Sequence, residues 1–219
     1  MRTMILAAGL LSLTPRAAEA ASLDAAFDIL RKGDPIGFHA VDVEETPDGI
    51  QVETRIRMKV KFGPVTLFRY EHDAQEFWRD GALQSLTSRT DNNGRKMALE
   101  VNREGDVLVV EGQDYQGEAP ADAIPSSYWN KAIVDTRYLL NTQTGALIPV
   151  TKEALGPTAA PNGAEADHYR LKGSVALDLW YDGRRWVGAD FVVRGERLLY
   201  RLAEEAEQAQ TPVRASGGD

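Results

Sequence analysis

Cysteine is absent from the chain. That excludes disulfides, thiolate metal sites, thiol catalysis, covalent c-type haem and lipid attachment at an N-terminal Cys. Basic residues are outnumbered, 25 Lys and Arg against 33 Asp and Glu, for a formal charge of −8 and a pI near 5.0. A chain so acidic lacks the electrostatic footprint of a nucleic-acid binder. Histidine is scarce: His39, His72 and His168 stand far apart, none at helical ligand spacing from another. There is no Gly-x-Ser-x-Gly, no phosphate-cradling glycine loop and no His-Glu-x-x-His. Beyond the first twenty residues no apolar run reaches the roughly 20 residues needed to span a bilayer as a helix.

What is present begins with an address. Arg2 is a short positive region, Met4 to Leu13 is apolar, Pro15 interrupts, and Ala18-Glu19-Ala20 fits small-x-small cleavage. Residues 1–20 are therefore expected to be an export signal cleaved near Ala20, leaving a periplasmic protein with no transmembrane segment. Without disulfides the rest must be held by its core. About 180 residues suffice for one domain, burying roughly 70% of the unfolded surface.

Strand patterning dominates that remainder. Ile50, Val52, Thr54, Ile56, Met58 and Val60 alternate with Gln51, Glu53, Arg55, Arg57, Lys59 and Lys61. Twelve residues of faultless alternation mean one buried and one wet face. Gly63-Pro64 turns the chain into Val65 to Trp78. A turn centred on Gly63 predicts Ile56 opposite Tyr70, Met58 opposite Phe68 and Arg55 opposite Glu71. Further strands are expected at 26–30, 37–45, 83–90, 96–102, 107–110, 146–152 and 168–172. At the end, 175–181, 187–193 and 198–202 form a three-strand meander, with Val187, Ala189, Phe191 and Val193 sharing a face. Turn signals every eight to fifteen residues identify an antiparallel sheet.

The rhythm breaks from Tyr115 to Thr144. Ser127 is expected to cap one or two helical turns through Arg137, and 156–164 is expected to be a loop. The acidic, then small and polar stretch 203–219 is expected to be a disordered tail. The resulting architecture is mainly β: a single curved antiparallel sheet of about eleven strands over 21–202, a half-barrel or open barrel. A short helical or irregular insert lies within it, and a closed barrel or sandwich is the alternative.

No residue set reads as catalytic, and no metal or cofactor is expected. His72 reads as a hydrogen-bonded core histidine facing the same way as Tyr70 and Ala74, with Asp73 on the other face. Asp178 and Asp182 share a face with Trp180 and are the best carboxylates for a hydrolase working on glycan or ester. The basic face of 50–61 faces Glu71 and Asp73, which neutralise much of it. The aromatics Trp78, Trp129, Trp180 and Trp186 and the irregular run Tyr128-Trp129-Asn130 mark where a ligand would sit. The candidate ligand-binding residues are Tyr70, His72, Trp78, Tyr128, Trp129, Asn130 and Trp180.

The blocks Tyr70-Glu71-His72 to Trp78-Arg79-Asp80-Gly81, Pro125-Ser126-Ser127-Tyr128-Trp129-Asn130, Asn141-Thr142-Gln143-Thr144-Gly145 and Leu179-Trp180-Tyr181-Asp182 to Val193-Arg194-Gly195 resemble an exported bacterial family known as domain of unknown function 6134. The layout is also loosely similar to the half-barrels of periplasmic lipoprotein carriers. The resemblance implies an exported β-rich domain and brings no catalytic residue with it. The leading expectation is a non-catalytic periplasmic module that binds a lipid or other apolar ligand, or an envelope protein. A hydrolase and a structural subunit of an envelope assembly are the alternatives.

Overall fold

The computed structural model describes residues 23–174, 176–193 and 195–203, with the backbone alone at Phe62. The expected export signal, Val175, Arg194 and the expected tail from 204 onward lie outside the described residues.

The chain first lays down eight strands in succession: β1 (Ala25–Arg31), β2 (Asp34–Thr46), β3 (Gly49–Phe62), β4 (Val65–Arg79), β5 (Ala82–Asn92), β6 (Arg95–Glu104), β7 (Val107–Glu111) and β8 (Gln116–Pro120). It then crosses through three short strands, β9 (Ile124–Pro125), β10 (Tyr138–Leu140) and β11 (Leu147–Pro149), with one 3₁₀ turn at Lys131–Val134. It finishes with β12 (Thr151–Ala159), β13 (Glu165–Lys172), β14 (Leu177–Asp182), β15 (Arg185–Val193) and β16 (Glu196–Leu202). β16 pairs back onto β1, joining both runs into one 13-stranded antiparallel sheet with β12 and β8 at its edges. The sheet is open, and β9, β10 and β11 form a separate three-stranded sheet.

Alternation decides which face is buried. Phe27, Val41, Val52, Ala74, Leu86 and Leu99 point inward, and the crossing segment adds Trp129, Ile133 and Leu140 to the same core. The curved sheet thus wraps the crossing segment. Burying each of these larger side chains contributes about 1.5–3 kcal/mol, which replaces the missing disulfides.

Several local expectations are corrected. The main sheet holds thirteen strands where about eleven are expected, with 116–120 pairing as β8, and 151–159 runs as strand where a loop is expected at 156–164. A bulge beside Gly156, whose φ is +75°, lets β12 continue to Ala159. The stretch 146–152 is two strands, separated where Val150 N–H donates to Arg137 O. The β3–β4 register is displaced by two residues: Ile56 faces His72, Met58 faces Tyr70 and Arg55 faces Asp73. The cause is a two-residue turn at Gly63-Pro64 followed by a bulge between Val60 and Lys61. From Val60 and Phe68 onward the displacement is even, which keeps those side chains on their expected faces. A further bulge, near Trp180 and Tyr181, sends Trp186 into the main core and Val187 to a small outer cluster.

Candidate functional site

An apolar cavity of about 310 Å³ lies between the inner face of the sheet and the crossing segment. Its walls come from distant parts of the chain: Met58 and Val60 on β3, Phe68 and Tyr70 on β4, Leu198 and Tyr200 on β16, and Tyr128 on the crossing segment. At the rim Arg31 pairs with Glu196 through two hydrogen bonds of 3.1 and 3.4 Å, so their charges cancel. The β3–β4 hairpin stands beyond its neighbours at this end. β2 follows β3 only to Met58 and β5 follows β4 only to Tyr70, leaving Val65 and Leu67 56% and 58% exposed.

Three phenols converge in the cavity. Tyr70, Tyr128 and Tyr200 all line it, and no described residue hydrogen-bonds any of their hydroxyls. Burial pushes the Tyr128 phenol up to about 12. Tyr70 and Tyr200 are also raised, first by burial and then by neighbouring phenols. All three therefore stay protonated and available as donors at neutral pH. Tyr128 is surrounded by protein yet keeps accessible surface, because that surface faces the cavity. Its backbone sits at φ +69°, a left-handed conformation costly for an aromatic residue. Tyr181 Oη donates to Tyr128 O at 2.7 Å and helps hold that conformation.

At the base of the cavity runs a row that carries three buried polar residues, His39, His72 and Thr90. His39, Ile56, His72 and Thr90 align across β2 to β5, two residues deeper than Met58, Tyr70 and Asn92. His72 Nδ1 lies 2.8 Å from Thr90 Oγ1. Burial lowers its pKa to about 4, with Asp73 opposing and Arg57 adding to the shift. His39 is 1% exposed, and neither ring nitrogen has a hydrogen-bond partner among the described residues. Burial, reinforced by His72, brings its pKa to about 3, so the imidazole is neutral. Its ring meets Trp186 and Tyr200 edge-on, with centroids 5.1 and 5.5 Å away.

Deeper still, Glu76 is 3% exposed and its Oε2 accepts from Trp78 Nε1 at 2.7 Å and Trp129 Nε1 at 3.0 Å. Burial raises its pKa, while Ser127 and the two indoles oppose that shift. Ser127 thus faces Glu76 rather than capping a helix. Asn130 is the cap, its Oδ1 accepting from Ala132 N–H at 3.0 Å ahead of the 3₁₀ turn.

On the outer face, Thr158 Oγ1, His168 and Asp178 form a chain, with 3.1 Å to His168 Nδ1 and 3.1 Å from Nε2 to Asp178 Oδ1. This connectivity is that of a nucleophile, base and orienting acid. Asp178 is also gripped by Arg170 at 2.7 and 3.0 Å, Trp180 Nε1 donates to Thr158 Oγ1, and the His168 ring stacks on Trp180. These contacts tie β12, an edge strand, to β13 and β14. A larger open trough of about 780 Å³ also lies across β3 to β7, but charged side chains such as Glu53, Arg55, Asp73 and Arg89 line it. It is an open, polar surface feature, less suited to an apolar ligand than the smaller cavity.

Of the residues singled out from sequence, Tyr70 and Tyr128 line the cavity and His72 lies one row beneath. Trp78 and Trp129 sit deeper on Glu76, Asn130 caps the turn, and Trp180 is on the opposite face of the sheet. Asp182 is exposed and Asp178 is tied to Arg170. Tyr200, His39 and Glu76 were missed; inward alternation was the only signal for each. Among the described residues no cluster of three or more His, Asp or Glu is placed to hold a metal ion, and no helix is long and apolar enough to cross a membrane.

An open, barrel-like antiparallel sheet closed over an inner aromatic cavity defines the class. The same fold is found in the crystal structure of a beta-barrel-like protein of domain of unknown function DUF1849 from Brucella abortus. The likeness has a TM-score of 0.59 at 9% identity and covers 84% of this chain and 98% of that one. The chain belongs to the family described as Domain of unknown function (DUF6134), whose model matches residues 27–203. No curated protein matches the sequence.

Proposed function

We propose that this is an exported, non-catalytic binding protein that holds an apolar ligand between its curved sheet and the crossing segment, in the periplasm. The observation that carries the reading is the cavity. A chain of this length has ample apolar side chains to fill its centre, yet about 310 Å³ stays open among Met58, Val60, Phe68 and Leu198. A concave, mostly apolar pocket of this size is the usual form of a small-molecule site. A purely structural subunit of an envelope assembly would have a filled core. The sequence pattern of residues 1–20 supports export.

Native mass spectrometry of protein purified gently from the envelope fraction tests this, with a co-purifying apolar molecule expected. Filling the space with Met58→Trp should abolish its retention while the fold persists. An empty wild-type protein that also ignores added apolar probes would end the proposal.

The hydrolase reading draws on one observation, the Thr158–His168–Asp178 chain. Arg170 already neutralises Asp178, and none of the cavities described above includes Thr158 or His168 in its lining. Anchoring of the sheet edge accounts for these contacts better.

A further inference from the structure

We propose that the occupant of the cavity presents an uncharged carbonyl oxygen, of the ester, ketone or quinone class, to the hydroxyls of Tyr70, Tyr128 and Tyr200. This rests on reading the cavity as a binding site and adds the chemistry of the bound head group.

Besides Asn92, Ser126, Thr142 and Gln143, the uncharged polar groups that line the cavity are its three phenols. Three neutral phenols offer three O–H donors, and no described residue accepts from them. These hydroxyls reach the open space of the cavity, where water serves them when it is empty, so a ligand that displaces that water does best by offering an acceptor in its place. A phenol can also accept, but the free donors are what distinguish this cavity from a merely greasy one. His39, directly below and without a partner at either nitrogen, adds a neutral ring and no charge.

The charge balance excludes a bare anion. Arg31 is the cation in the lining and Glu196 holds it at 3.1 Å. A carboxylate head would enter a low-dielectric space with no free cation, at a cost that three neutral donors only partly offset. A carbonyl oxygen needs no counter-charge and accepts two hydrogen bonds readily. The size is consistent with this: about 310 Å³ equals the liquid volume of about ten waters, enough for a head group and a short segment of chain. A longer tail would leave past Val60, Phe68 and Val193 at the rim, beside the exposed Val65 and Leu67.

Trp186, whose ring centroid lies 5.3 Å from that of Tyr128, makes tryptophan fluorescence a reporter of occupancy. The full chain, delipidated, is titrated at neutral pH with methyl nonanoate, sodium nonanoate and decane. The ester is expected to bind more tightly than either, and Tyr128→Phe and Tyr70→Phe should each weaken it by roughly two- to twelvefold while leaving decane unchanged. Thermal melts of both variants confirm that they fold. Tighter binding of the carboxylate, or an equal loss for ester and decane in the variants, overturns the carbonyl assignment and leaves the cavity as an apolar site. Binding of none of the three overturns both this assignment and the binding function itself.

Discussion

Trp129 Nε1 donates to Glu76 Oε2 at 3.0 Å in the buried centre of the protein, pinning the crossing segment to β4. A hydrogen bond to a carboxylate is worth more than one to a neutral acceptor, and here Trp78 shares the same oxygen at 2.7 Å. The crossing segment is therefore held to the sheet by a polar anchor set among hydrocarbon, in addition to the Tyr181–Tyr128 hydrogen bond.

Trp129→Ala should cost about 3–5 kcal/mol, because it opens a large hole and strips the carboxylate of a donor. Glu76→Gln should be far milder at pH 7. It keeps an amide oxygen for the indoles and removes the penalty of a buried charge, which burial shows by raising the Glu76 pKa. Urea unfolding followed by tryptophan fluorescence measures both, and equal losses for the two variants would contradict the anchor.

Acid should weaken the fold well before the surface carboxylates titrate. His39 and His72 have folded pKa values near 3 and 4, below the ordinary 6.5. The unfolded chain thus binds more protons between those values and 6.5. Stability is complete above pH 6.5 and falls as pH drops toward 4, by about 1 kcal/mol or a little more per pH unit for each histidine. Glu76 acts in the opposite sense, since its raised pKa means that protonation relieves the folded state. Asp73 and Arg57, which oppose each other at His72, leave the direction unchanged. Urea midpoints from pH 7.5 to 4.5 should decline, and His39→Phe should flatten the decline. Parallel curves for the two proteins would refute the assignment.

The tyrosine hydroxyls should divide into two kinds. Tyr181→Phe removes a 2.7 Å bond to the strained Tyr128 carbonyl and should cost about 1 kcal/mol. Tyr70→Phe removes a hydroxyl with no protein partner and should leave the ligand-free midpoint unchanged or higher. Differential scanning calorimetry of the delipidated proteins separates them; a comparable drop for Tyr70→Phe would mean that its hydroxyl has a partner in solution.

Thr158→Val should loosen the sheet edge without affecting any hydrolysis. It removes the oxygen that meets both Trp180 Nε1 and His168 Nδ1, at a cost of about 1–3 kcal/mol. Hydrogen exchange of the β12–β13 amides should quicken. A p-nitrophenyl ester activity present in the wild type and lost in Thr158→Val would revive the hydrolase reading.

Gly37→Ala tests the other side of the cavity. An added Cβ would lie 1.9 Å from Arg57 O, a backbone atom that cannot swing aside, so β2 and β3 must part. A loss at or above the upper end of the usual 1–3 kcal/mol for overpacking is expected by urea unfolding.

Some of this was readable in the sequence because alternation is a property of a single strand. From Ile50 to Lys61 it identifies the inner face without reference to any partner, and it survived a two-residue error in register. The bulge between Val60 and Lys61 was not readable, since an extra residue leaves no mark until the facing strand is known. The same applies to Trp186 and Val187, whose faces exchange at a bulge. Tyr70 and Tyr128 attracted notice through aromaticity and irregular surroundings. Tyr200 did not, because it becomes part of the cavity only when β16 closes against β1.

The sequence by itself determined an antiparallel β-rich chain with one apolar face and a crossing segment carrying its own aromatics. Periodicity and turn chemistry are local, and local forces suffice to set them. Only the tertiary structure decided that residues some 170 positions apart share a sheet, that Glu76 meets Trp129, and that three phenols surround one unfilled space. Those outcomes depend on how a twisted sheet curls and which edges remain open, which is a property of all the strands packed together.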